Sequence, residues 1–111
     1  MVLFERMIRR MKKLYLTDVA LEIAVRQRDN VWNQVAHRIG EMSSAEARGY
    51  VRARVAGMVR FEVDRVLRQN HQLQVSQREK LAQLTTVAVI DQAMVDSRVC
   101  SQSTVEIRRA A

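Results

Sequence analysis

No proline interrupts these 111 residues, and the only glycines are Gly40, Gly49 and Gly57. Sharp turns draw on those two residue types, so their scarcity argues against an all-β sandwich or barrel. Long helices joined by few turns remain, and the sequence marks where two of them begin. Ser43-Ser44-Ala45-Glu46 and Ser76-Gln77-Arg78-Glu79 both read Ser-x-x-Glu. In such a capping box the serine oxygen accepts from a free first-turn amide, and the glutamate reaches back to the serine amide. Each box precedes an apolar periodic stretch, so Ser43 and Ser76 are expected N-caps. Gly40 is placed to close the preceding helix in the left-handed conformation. The expected spans are a helix to about residue 40, one from 44 to about 73 and one from 77 to about 97. Residues 1–98 then form a single helical domain and 99–111 a polar tail. The fold class is all-α: a long helical hairpin plus a shorter C-terminal helix, packed as a bundle.

Within residues 1–42, Phe4, Met7, Met11, Leu14, Asp18, Leu21, Val25, Arg28, Trp32, Val35, Ile39 and Met42 follow alternating steps of three and four. Such a seam keeps two helices in contact over a long distance. Asp18 and Arg28 interrupt it. A second reading starts a new helix at Thr17-Asp18, ending the first at Leu16, and lets the polar stretch 26–30 loosen the middle. The sixteen valines work against helix, because β-branching restricts rotamers there. Residues 85–90 and 103–108 therefore have strand alternatives. The Ser76 box and the spacing of Leu81, Leu84, Ala88 and Val95 favour helix for the first; the second stays open.

Ala45, Gly49, Ala53 and Gly57 recur every four residues, a stripe of small side chains that suits close packing of another helix. Rods of about 60 and 45 Å carry apolar stripes longer than one short third helix covers. A homo-oligomer, most simply a twofold dimer, is expected to bury the remainder.

The net charge of +7 is unevenly placed. Residues 1–16 hold Arg6, Arg9, Arg10, Lys12 and Lys13 against Glu5, and residues 43–75 hold six arginines against three acids. Two basic segments attract polyanions, whether nucleic acid, an acidic protein face or an anionic membrane, although charge also serves solubility alone. On the second helix Arg54, Arg65 and Arg68 share a sector with Tyr50 and Phe61, the pattern that grips phosphates and stacks on bases. In the first segment Phe4, Met7, Ile8, Met11, Leu14 and Tyr15 form an apolar side with the bases around it. Such a helix lies on an anionic membrane, fits a partner's groove or packs on its own bundle.

Catalytic constellations are absent from the sequence. His37 and His71 are the only histidines, and neither follows a glutamate at the spacing of di-iron bundle sites. There is no HExxH, glycine-rich phosphate loop or GxSxG. The single Cys100 excludes an internal disulfide framework, and no CxxC suggests zinc. No catalysis, cofactor or metal is expected. No apolar run exceeds four residues, and the basic start lacks the apolar core of a secretory signal, so a soluble cytoplasmic protein is expected. The expected function is non-catalytic interaction or scaffolding, through self-association and an unidentified protein partner. The alternative is non-sequence-specific nucleic-acid binding, with a membrane surface ranked behind it.

Overall fold

Three helices carry the chain in the computed structural model: α1 (Val2–Ile39), α2 (Ser44–Gln69) and α3 (Arg78–Ala110), the last preceded by a 3₁₀ turn at Val75–Gln77. The structure describes the backbone of residues 2–70 and 73–110 and the side chains of 2–70 and 73–101, so His71 lies outside the described residues. No strand occurs among them, and the all-α class expected from the sequence is the class observed.

α1 does not restart at Thr17. The Thr17 hydroxyl donates to the Lys13 carbonyl at 2.9 Å, which satisfies it inside the helix instead of capping a new one. At the next boundary Ser43 caps α2, its Oγ accepting from the Glu46 amide at 3.3 Å. The glutamate closes the box on the hydroxyl rather than the amide, with Ser43 Oγ donating to Glu46 Oε1 at 2.9 Å. Gly40 does not take the expected left-handed conformation, since no glycine has a positive φ. The Glu41 and Met42 amides instead donate three residues back, to Arg38 and Ile39, each at 3.3 Å. Such tight last-turn bonds satisfy helix-end carbonyls without a special residue.

The third start differs from expectation by two residues. Gln74, not Ser76, leads the box, its amide donating to Gln77 Oε1 at 3.1 Å. α3 then continues through the presumed tail to Ala110, and both strand alternatives are helical. Thr85 and Thr86 fit because their hydroxyls donate to the carbonyls of Leu81 and Ala82 at 2.7 and 2.8 Å. Val89 and Ile90 fit because burial outweighs their weak helix preference.

The three helices run up, down and up. α2 returns along α1, with Asn70 Nδ2 donating to Tyr15 Oη at 2.6 Å and Arg26 3.9 Å from Glu62. α3 returns along α2, with Arg78 bound to Asp64 at 2.8 Å and Arg48 to Asp91 at 3.0 Å. Arg28 ties α1 to α3 with two hydrogen bonds to Asp96, at 2.6 and 3.1 Å. Those bonds, and the charge of Asp96, hold the guanidinium above its ordinary range. The break that Arg28 makes in the apolar seam is thus an inter-helix ion pair.

Ile23, Val35, Val51, Val55, Val63, Leu81, Val89 and Ile90 are fully enclosed by this one chain. On α1 the buried face is Leu16, Val19, Ala20, Ile23, Ala24, Val31, Val35 and Ile39. Of the expected seam only Val35 and Ile39 are buried, while Phe4, Met7, Met11, Leu14, Leu21 and Val25 are exposed. Small Ala20 and Ala24 let the neighbouring helices approach on a different side. On α2 the inward row is Ala47, Val51, Val55 and Val59. The small stripe Ala45, Gly49, Ala53, Gly57 sits two residues out of step with it, about 200° around the helix, and faces outward. A Cβ built on either Gly49 or Gly57 meets no atom within 4 Å, so the close packing expected there is not made within the chain. The ground for expecting a dimer narrows accordingly: one chain encloses its own core, and the longest run of exposed large apolar side chains among the described residues is the first third of α1, with Leu21, Val25, Phe61, Val75, Val87, Val95 and Val99 exposed elsewhere.

Candidate interaction surfaces

Residues 2–14 of α1 extend past the bundle, every one of them exposed, and Tyr15, also exposed, meets the end of α2 through Asn70. The molecule is correspondingly elongated, 64 × 29 × 23 Å with a radius of gyration of 17.1 Å. A compact domain of this length would have about 13 Å. Phe4, Met7, Met11 and Leu14 keep 58 to 65% of their surface exposed. At 100° per residue, these four with Leu3, Ile8 and Tyr15 occupy an arc of about 140°, and the bases occupy the remaining side. Arg10 and Lys12 sit at the two edges of the apolar arc, and Glu5, the one acid of the arm, lies on the polar side. A shallow cleft between Leu3, Phe4, Arg6, Met7 and Arg10 marks where apolar and basic groups meet.

The arm and the bundle use nearly opposite sides of one helix. The buried residues Leu16, Val19, Ala20, Ile23 and Ala24 centre about 160° away from the apolar arc of the arm. The arm's apolar face is therefore not an unfilled continuation of the core seam, because α2 and α3 lie on its basic side. The heptad reading joins both faces into one stripe. Asp18 is an exposed acid inside that stripe, which stays exposed at Leu21 and Val25 and first enters the core at Val35.

The arginine sector of α2 is only partly assembled. Arg54 and Arg68 are exposed and lie fourteen positions apart, about 21 Å along the axis. Arg65 is half-buried and donates to Glu62 Oε2 at 2.7 Å, so its charge is met inside the fold. Tyr50 packs under Arg38 of α1, 5.9 Å from guanidinium carbon to ring centroid, while Phe61 stands exposed. Glu62 itself is buried, held by Arg65 and by the more distant Arg26.

Among the described residues no helix is long and apolar enough to cross a membrane. Compared with family models, with curated proteins and with solved structures, the chain matches none significantly.

Proposed function

We propose that this is a non-catalytic helical interaction protein, in which the bundle is a rigid body that presents the arm of α1 to a binding partner. The observation that carries the reading is the exposed apolar arc on Phe4, Met7, Met11 and Leu14. Contiguous exposed apolar surface rimmed by polar groups marks an interaction site. The arm contributes no residue to the buried core, which starts at Leu16, so its apolar character has no role in holding the bundle together. Arg6, Arg9, Arg10, Lys12 and Lys13 give the same element a strong positive field that steers it toward an anionic target.

The test is fractionation of cells making the full chain or its Met7→Asp/Met11→Asp variant at the same level. The wild-type chain is expected in a large or particulate fraction and the variant as a small free species. A wild-type chain that runs free, indistinguishable from the variant, overturns the reading.

A further inference from the structure

We infer that the occupant of the arm is an anionic lipid surface, on which residues 2–15 lie flat with their apolar arc among the acyl chains. The inference rests on the interaction reading above and supplies its target. Three properties of the arm together select this occupant. Nucleic acid would use the five bases but leave Phe4, Met7, Met11 and Leu14 in water. A second copy of this chain would cover those side chains but bring together two arms that each carry five bases against one acid. In a dimer closed on the arcs, Arg10 and Lys12 at the edges would meet like charges across it, and in the register of the stripe Asp18 would enter the apolar interface. An anionic bilayer uses both faces at once, since a basic amphipathic helix buries its apolar side at the headgroup boundary while the cations meet the lipid phosphates and carboxylates.

The geometry of α1 agrees. Arg10 and Lys12, at the two edges of the apolar arc, can run their aliphatic stems along the boundary and keep their charges at headgroup level. Because the core side of α1 is turned about 160° from the arc, α2 and α3 fall on the water side of an arm lying on a membrane. Past the arm, exposed Asp18 and Glu22 bring the first acids onto the arc's side of the helix, beside the still exposed Leu21 and Val25.

Co-sedimentation of the full chain with lipid vesicles tests this. The chain is expected to bind phosphatidylcholine vesicles containing about 30% phosphatidylserine at least tenfold more tightly than vesicles of phosphatidylcholine alone. Met7→Asp/Met11→Asp and Arg10→Gln/Lys12→Gln should each weaken that binding about tenfold or more, and neither should change the melting temperature, since all four side chains lie outside the core. Equal binding to both vesicle types, or none to either, overturns the inference. So does loss in the charge variant alone, which would mean electrostatic adsorption without insertion. Binding of random duplex DNA that needs Arg10 and Lys12 but not Met7 and Met11 would assign the arm to nucleic acid instead. If vesicles fail while the wild-type chain still fractionates with a large assembly, the lipid target falls and the interaction reading stands.

Discussion

Gly49 and Gly57 stand in the middle of α2 with open space where a side chain would be. A helix-interior glycine costs roughly 0.5–1 kcal/mol relative to alanine, because more backbone freedom is lost on folding. Gly49→Ala and Gly57→Ala should therefore each stabilise the isolated chain by about that amount, read as a rise in the thermal midpoint. A fall would reveal a neighbour pressed against the stripe in solution. The same positions show what one residue at a time could and could not tell. A small-residue row and a valine row, Ala47, Val51, Val55 and Val59, both repeat every four residues on α2. Spacing predicts that each row shares a face; which row is buried depends on the shape of the two neighbouring helices. Cap residues were more legible, since Ser43 acts through atoms three residues away. Ser76 lost its role to Gln74 because a glutamine pair, Gln74 and Gln77, offered the same reach two residues earlier.

Between elements, α1 and α2 meet at a buried carboxylate. Glu62 takes a 2.7 Å hydrogen bond from Arg65 and has Arg26 at 3.9 Å. Removing the near partner strands a charge in a poorly solvated place. Arg65→Met is expected to lower stability by roughly 1–3 kcal/mol. Neutralising the acid as well, in Glu62→Gln/Arg65→Met, should recover more than half of that loss. Urea midpoints check both, and an unchanged midpoint in Arg65→Met would show that Arg26 alone satisfies Glu62. At this scale the number and order of helices were readable from capping boxes and the lack of proline. The side of α1 that faces the core was not. Periodicity weights large apolar residues, and those of the arm lie in phase with Leu21 and Val25, while the face that packs is marked by Ala20 and Ala24. The helical course of residues 99–110 was hidden for a related reason: a polar composition with valine and threonine states no preference strong enough to read.

As a whole the molecule is a rod with a closed bundle along most of its length and an uncovered helix beyond it. Deleting residues 2–13 should leave the melting temperature within a few degrees of the full chain, because about 1 kcal/mol already moves a domain of this size by several degrees and no core residue is lost. Small-angle scattering should report a shorter particle, its radius of gyration falling from near 17.1 Å toward the compact value. A collapse of the melting transition would mean that the arm folds back on the bundle. The unbroken passage of α1 through Thr17 has a mechanical corollary. With no joint at that point, twist and tilt imposed at one end are transmitted to the other. Whatever takes hold of the first four turns thereby dictates the compass bearing of everything that follows, and a proline placed at the junction would uncouple the two as a broken axle does.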